Sequence, residues 1–225
     1  MDKKIILALD LDNIKKAVKI VKKLKKEVYA FKIGHEFFYT FGIEGYKKIQ
    51  KICPKIFLDL KLHDIPNTVN KGLKAISKLK PIFTTIHISG GDDMQKISIL
   101  KNNKISHILG VTILTSLDKK QTQKYYNEKN VNILVKKFAR YAKKNNLSGL
   151  VCSPLEISSV RKEVGKKMIL VVPGIRTEIN SLNKKDDQKR TLTPKEAINL
   201  GADFLVMGRP IIESKNPLEI IKKIN

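Results

Sequence analysis

The sequence has few of the features that mark secreted, membrane-spanning or disulfide-stabilised proteins. Its 225 residues include no Trp and only two cysteines, Cys53 and Cys152, in apolar contexts without metal-ligand spacing. We expect both to be buried free thiols, as suits a reducing compartment. No apolar run reaches the roughly 18 residues of a membrane span. The first residues lack the pattern of a secretory leader, so we expect a cytoplasmic protein.

Arginine is also scarce, and this affects how the net positive charge of the chain is interpreted. The net charge is +24, from 45 Lys and Arg against 21 Asp and Glu, yet only five of the basic residues are Arg. Lys, Ile and Asn, which AT-rich codons favour, make up 85 residues, and the lysines are spread along helix faces. We interpret the charge as solvated helix faces whose field helps to attract an anionic substrate. Nucleic-acid binding is the alternative.

Short apolar runs alternate with amphipathic, lysine-rich stretches along the whole chain. The runs are rich in Ile, Val and Leu, which is typical of parallel strands buried on both faces. They cover residues 5–11, 29–34, 56–62, 82–89, 107–114, 148–152, 168–174 and 202–208. Helical spacing predicts helices near 14–24, 36–51, 67–79, 93–101, 131–145, 154–163, 194–200 and 217–224. This order predicts an α/β TIM (β/α)8 barrel, one domain over residues 1–225, with a doubly wound open sheet as the alternative.

The segment 56–65 carries the most informative charges. Asp59 and Lys61 are two residues apart on a predicted strand, so both should project from one face into the barrel mouth. Unpaired buried charges are costly, so we expect them to pair, with Asp64 as a third member. A lysine held protonated in this way can deliver a proton or stabilise a developing carbanion. A purely structural ion-pair network is one alternative. A metal site from Asp59, His63 and Asp64 is another, disfavoured by the charge of Lys61.

The last two predicted strands end in residues suited to a phosphate group. Gly174 and Arg176 follow strand 7, and Gly208 and Arg209 follow strand 8. In TIM barrels the loops after these two strands often bind phosphate, and arginine offers a planar fork for its oxygens. Between strand 7 and its helix runs a long polar segment, 177–193, which we interpret as a lid over the substrate.

These residues together resemble one family. The segment 57–69, read as Phe-Leu-Asp-Leu-Lys-Leu-His-Asp-Ile-Pro-Asn-Thr-Val, is similar to the signature of the orotidine 5′-phosphate decarboxylases. Segments 7–10, 31–34, 114–116, 173–176, 186–190 and 206–210 resemble the other blocks of that family in the same order. The Asp-x-Lys-x-x-Asp core is shared with related sugar-phosphate lyases, whereas its combination with His-Asp-Ile-Pro-Asn-Thr and Asp-Gln-Lys-Arg is more specific.

The resemblance implies a function and a role for each matching residue. It implies decarboxylation of orotidine 5′-monophosphate to uridine 5′-monophosphate, the last step of de novo UMP biosynthesis, without metal or cofactor. Lys61 matches the proton donor, held between Asp59 and Asp64. The implied substrate-binding residues are Asp10 and Lys32 for the ribose, Thr115 for the pyrimidine, and Arg176, Gln188, Gly208 and Arg209 for the phosphate.

The resemblance also implies an assembly, and it leaves a rival function open. Family members are homodimers in which the residues matching Asp64, Ile65 and Thr68 reach into the neighbouring subunit's site. The rival is another lyase of phosphorylated substrates on the same scaffold, such as a keto-sugar phosphate decarboxylase or a hexulose-phosphate synthase. Those enzymes share only the Asp-x-Lys-x-x-Asp core and depend on Mg²⁺. No glycine-rich nucleotide-cofactor or P-loop motif is present.

Overall fold

The chain forms a closed parallel barrel. The structure, a computed structural model, describes residues 3–98, 105–176 and 192–224. Each strand pairs in parallel with the next, and β1 closes the ring by pairing with β8 through Ile5↔Leu205 and Leu7↔Met207. The strands are β1 Ile5–Ala8, β2 Ala30–Ile33, β3 Ile56–Leu62, β4 Phe83–His87, β5 His107–Val111, β6 Gly149–Val151, β7 Ile169–Val172 and β8 Phe204–Met207. The TIM-barrel prediction is confirmed, and the open-sheet alternative is wrong.

Helices follow the strands and form the outer layer. Within the described residues they are α1 Ile14–Leu24, α2 His35–Ile52, α3 Pro66–Ser77, α4 Asp92–Ser98, α5 Lys119–Tyr126, α6 Val131–Lys144, α7 Ile157–Val164, α8 Pro194–Asn199, α9 Arg209–Ile212 and α10 Pro217–Ile224. The apolar spacing did not predict α5 or α9. Gly42 breaks α2 with a left-handed φ of 57°, a conformation that glycine adopts without strain. None of the helices in these described ranges is long and apolar enough to cross a membrane.

Local sequence signals explain where several helices begin. The Asn13 side chain caps α1 by accepting a hydrogen bond from the Lys16 amide at 3.0 Å. Asp118 and Gln121 form a reciprocal capping box at α5. Pro66 and Pro194 lie in the first turns of α3 and α8, where proline is well tolerated. These residues therefore mark the first turns of the four helices.

The barrel has two apolar cores, separated by the sheet. The outer core lies between the strands and the helices and includes the free thiols of Cys53 and Cys152, both buried as expected. The inner core fills the barrel and is centred on Phe57 and Phe83. Rings stack toward the amino-terminal end of the strands, where the Tyr29 and Phe204 centroids are 4.3 Å apart. These rings fill the barrel at the amino-terminal ends of its strands, opposite the end at which TIM-barrel enzymes carry their active sites.

Candidate active site

A cavity of about 530 Å³ opens at the carboxyl ends of the strands. It lies above the inner core, with Phe57 in its lining. Eight of the predicted site residues line it: Asp10, Lys32, Asp59, Lys61, Thr115, Arg176, Gly208 and Arg209. They come from opposite sides of the barrel, and the closure of β1 against β8 brings them into one cavity.

Four of these side chains, on or just after the first three strands, form a row of alternating charge. The Lys61 Nζ lies 2.8 Å from the Asp59 Oδ2, and the Lys32 Nζ lies 3.8 Å from the same oxygen. The Lys32 Nζ also donates a hydrogen bond to the Asp10 Oδ1 at 3.1 Å. We call Asp10, Lys32, Asp59 and Lys61 the charge row. The predicted pairing of Asp59 with Lys61 in the barrel mouth is confirmed, and Lys32 extends it.

The inner members of the charge row are held in their ionised forms. Burial by itself lowers the pKa of Lys32, but the carboxylates of Asp59 and Asp10 outweigh burial and raise that pKa above its usual value. For Asp59 burial raises the pKa, while the ammonium groups of Lys32 and Lys61 and the hydroxyl of Thr85 lower it below its usual range. The side chains of Asp59 and Lys32 are only 9% and 11% exposed, so water screens these interactions weakly.

Strand β3 is irregular where it carries Lys61. Its pairing with β4 shifts register between Leu58 and Leu62, and the Lys61 backbone is left-handed, with a φ of 48°. Positive φ is uncommon for a residue other than glycine and marks a conformation that the surroundings impose. Leu60 and Leu62 still pack toward the outer core, as the alternation predicts. The irregularity therefore redirects the backbone at Lys61 without turning its side chain out of the cavity.

Two histidines lie beside the charge row. The ring of His87, at the end of β4, has its centroid 5.1 Å from that of His63. Burial, and then the nearby His63 and Lys61, lower the pKa of His87 from 6.5 to about 4. His87 is therefore neutral near pH 7 and adds no positive charge beside Lys61.

The opposite wall of the cavity is formed by the ends of β7 and β8. Gly174 turns the chain with a φ of 79°, which favours glycine, and Arg176 follows it on the cavity wall. Gly208 lies close to the neighbouring strand, because an added Cβ would lie 3.3 Å from that of Ala8. Arg209 is exposed at the rim. Two arginines thus line the cavity on the wall opposite Lys61.

Three predicted residues lie outside the cavity of this single chain. Asp64, Ile65 and Thr68 are exposed, and Ile65 is 67% exposed. The Asp64 carboxylate accepts a hydrogen bond from the Ile65 amide at 2.6 Å. In the part of the chain that the structure describes, it makes no ion pair with Lys61, so the expected triad is not formed within one chain.

One predicted residue and most of the predicted lid lie outside the described residues. Gln188 belongs to 177–191, as does all of the lid segment except Leu192 and Thr193. The chain enters and leaves this segment at neighbouring points, because the Arg176 amide donates a hydrogen bond to the Leu192 carbonyl at 3.1 Å. Both ends of the segment are therefore beside the cavity wall.

The sequence reasoning missed several residues that line the cavity or support the charge row. Lys16 on α1 and Glu36 on α2 line the cavity, although helical spacing marks them only as exposed helix positions. Thr85, in the middle of β4, bonds to both Asp59 and Lys61. The sequence signal that could have indicated Thr85 is the polar pair Thr84 and Thr85 within a largely apolar run.

The alternative metal site does not form among the described residues of one chain. Among residues 3–98, 105–176 and 192–224, no three His, Cys, Asp or Glu side chains converge as a metal-binding group. Asp59 faces two lysines in the cavity, whereas Asp64 is on the outer surface. The proposed ligands Asp59, His63 and Asp64 therefore do not meet within one chain.

A closed parallel barrel with a charged cavity at the carboxyl ends of its strands has the architecture of a TIM-barrel enzyme. Comparison with known proteins defines this further. Residues 3–224 match the model of the orotidine 5′-phosphate decarboxylase / HUMPS family, and the chain belongs to that family.

Relatives with this name match along nearly their whole length. The chain is 45% identical to an orotidine 5′-phosphate decarboxylase of Wolbachia pipientis (subsp. Culex pipiens), covering 95% of this chain and 93% of the relative. It is 41% identical to that of Ehrlichia canis, covering 98% and 95%. The crystal structure of orotidine 5′-phosphate decarboxylase from Lactobacillus acidophilus superimposes with a TM-score of 0.83 at 37% identity, covering both chains completely.

We predict that His87 stays neutral well below the pH at which an exposed histidine titrates. The folded-state pKa is lowered to about 4, so the folded protein resists a proton that the unfolded chain accepts near pH 6.5. His87 therefore makes the folded state lose stability as pH falls from about 6.5 toward 4. Imidazole titration by NMR should give this midpoint, with His87→Gln to assign the signal. A midpoint near 6.5 would contradict the prediction.

Proposed function

We propose that this protein decarboxylates orotidine 5′-monophosphate to uridine 5′-monophosphate in pyrimidine biosynthesis. The observation that carries the proposal is the Lys61 ammonium, 2.8 Å from the Asp59 carboxylate in the cavity of a chain that belongs to this family over almost its whole length. A cationic acid at the base of the cavity and two arginines across from it suit a substrate that carries its reacting carboxylate and its phosphate at opposite ends.

Lys61 is the proposed catalytic acid. Loss of CO₂ from C6 of the pyrimidine breaks the C–C bond and leaves the electron pair on C6, where no adjacent π-system delocalises it. The Lys61 ammonium stabilises that pair and then transfers its proton to C6. Electrostatic stabilisation by a fixed cation is the main contribution, because the cation is in position before the charge develops.

Lys32 compensates the charge of Asp59 while Lys61 transfers its proton. When Lys61 gives up its proton, Asp59 would lose its closest cation in a site where unpaired charge is costly. The Lys32 Nζ, 3.8 Å away and firmly protonated, keeps the carboxylate compensated. The charge row thus allows Lys61 to become neutral without leaving Asp59 unpaired.

The remaining residues orient the nucleotide in this proposal. Asp10, 54% exposed, and Lys32 bind the ribose hydroxyls, and Thr115 contacts the edge of the pyrimidine. The phosphate is bound by Arg176, Gly208 and Arg209, and by Gln188 of the proposed lid. Binding energy from the phosphate, far from the reacting carbon, would be used to close the site around the substrate.

The reaction proposed here needs no metal or cofactor, since the protonated lysine supplies both charge stabilisation and the proton. The rival sugar-phosphate lyases require Mg²⁺ for their reactions. Sensitivity to a chelator therefore separates the two functions. The two buried, free thiols support a cytoplasmic location.

The active form in this proposal is a homodimer. Asp64, Ile65 and Thr68 lie together on the outer surface, where they are available to a second copy. Ile65 and Tyr39, 67% and 75% exposed, provide apolar surface at the same end of the barrel. Such exposure at the ends of the catalytic strands is typical of a face covered by a partner. In the dimer Asp64 would complete the triad of the neighbouring subunit.

We predict that Lys61→Ala lowers turnover of orotidine 5′-monophosphate by a factor on the order of 10³ or more, because the variant lacks the stabilising cation and the proton. Ultraviolet absorbance should follow loss of the orotate band in wild type, with and without EDTA. Calorimetry should show that the variant still binds uridine 5′-monophosphate. Lys47→Ala, on the exposed face of α2, is the matched control. Wild-type turnover in Lys61→Ala, or loss of wild-type activity in EDTA, would reject the mechanism.

Arg209→Ala should raise KM strongly and lower kcat/KM by roughly 10- to 100-fold, as expected for the loss of a charge-assisted hydrogen bond to phosphate. Steady-state kinetics would measure both constants. Arg140→Ala is the control, since that arginine lies on α6 beside Glu163 and outside the cavity. An unchanged KM in Arg209→Ala would argue against a phosphate contact at this position.

Shared sites predict complementation between two inactive variants. If Asp64 acts in the neighbouring subunit, a mixed dimer of Lys61→Ala and Asp64→Asn contains one site with both residues intact. Refolding an equal mixture should recover up to about a quarter of wild-type activity, because half of the dimers are mixed and one of their two sites is complete. Each variant refolded alone is the control. No recovery, in a mixture shown to form dimers, would place Asp64 in its own subunit's site.

A further inference from the structure

Thr85 contacts two members of the charge row, Asp59 and Lys61, through a single hydroxyl. Its Oγ1 accepts a hydrogen bond from the Lys61 backbone amide at 2.9 Å. The same hydroxyl donates to the Asp59 Oδ1 at 2.9 Å. Thr85 is fully buried in β4, so these contacts are sheltered from water. One side chain thus binds the carboxylate of Asp59 and the backbone of its partner lysine.

The direction of these bonds depends on the ionisation of Asp59. A carboxylate can only accept hydrogen bonds, so the hydroxyl must give its proton to Asp59 and offer its lone pair to the Lys61 amide. Burial raises the pKa of Asp59, and this hydroxyl acts with the ammonium groups of Lys32 and Lys61 to lower it. It leaves the other carboxylate oxygen, Oδ2, to the two ammonium groups.

The irregularity of β3 explains why such a connection is needed. The register shift and the left-handed φ of 48° take Lys61 out of regular strand geometry. A backbone in that conformation persists only where its surroundings hold it. The Thr85 hydroxyl holds this backbone by its hydrogen bond to the Lys61 amide. Because the same hydroxyl binds Asp59, it also fixes the Lys61 backbone relative to the carboxylate that the Lys61 side chain contacts.

We infer that Thr85 is a positioning residue of the active site, whose hydroxyl sets the Lys61 ammonium against Asp59 by fixing the backbone of one and the carboxylate of the other. The predicted effect of Thr85 on turnover rests on the proposed function. Its predicted effect on the backbone at Lys61 is independent of that function.

The neighbouring Thr84 offers a matched control. It is equally buried in the same strand, and its hydroxyl also bonds to β3, donating to the Leu58 carbonyl at 2.9 Å. That bond does not involve the charge row. Thr84→Val and Thr85→Val therefore remove the same group from the same strand, and only the second removes it from Asp59 and Lys61.

The test compares kinetics and amide exchange in these variants. Thr85→Val should lower kcat by about 10- to 100-fold with a change in KM of less than about threefold, the range expected for one hydrogen bond to a charged group. Thr85→Ser, which keeps the hydroxyl, should recover most of kcat. Thr84→Val should stay near wild type. Hydrogen exchange measured by NMR should accelerate at the Lys61 amide in Thr85→Val alone.

Equal losses of kcat in Thr84→Val and Thr85→Val would overturn the inference, as would wild-type kcat in a folded Thr85→Val. If Thr85→Val does not fold, Thr85→Cys replaces it, because a thiol of similar size is a weak donor. Thr85→Ser must then exceed Thr85→Cys in kcat. If wild type itself fails to decarboxylate the nucleotide, the proposed function fails, while unchanged exchange at Lys61 in Thr85→Val would separately reject its positioning by Thr85.

Discussion

The buried Asp59 carboxylate is the constraint on which the rest of the site depends. A charge that is 9% exposed above an aromatic core is stable only if it is compensated on every side. The compensation comes from three adjacent strands: Lys32 on β2, Lys61 on β3 and Thr85 on β4. The pairing of these strands must therefore keep all three groups in contact with the carboxylate. The rigidity that protects Asp59 also presents Lys61 in a fixed position before any substrate arrives.

The sequence predicts those parts of this arrangement that depend on the spacing of residues within one strand or one helix. The period of two places Asp59 and Lys61 on one face, and the alternation of apolar runs and helical spacing predicts the barrel. Thr85 and the left-handed Lys61 were missed because they depend on the register between β3 and β4, which is a relation between distant segments. The helix α5 was missed because its sequence has almost no apolar face. Asp64 was expected in a triad with Asp59 and Lys61, and in one chain it is exposed and makes no ion pair with Lys61 among the described residues.

The net charge of +24 is not concentrated in the cavity. Five cationic and four anionic side chains of the described residues line it, so its formal charge is close to neutral. The excess of lysine lies elsewhere, much of it on exposed helix faces such as that of α1. A long-range positive field and a locally balanced site serve different purposes: the field raises the rate of encounter with anions, and the local pairing determines the chemistry.

The ladder between β1 and β8 has a consequence for how the site is assembled during folding. Asp10, Lys32, Asp59 and Lys61 follow or lie on the first three strands, whereas Arg176 and Arg209 follow the last two. Every other strand pairs with its neighbour in sequence, so only this one ladder joins the two ends of the chain. The charge row can therefore form from local segments, but it meets the arginines only when the ring closes. The cavity is therefore complete only in a chain whose first and last strands have both been made and have paired.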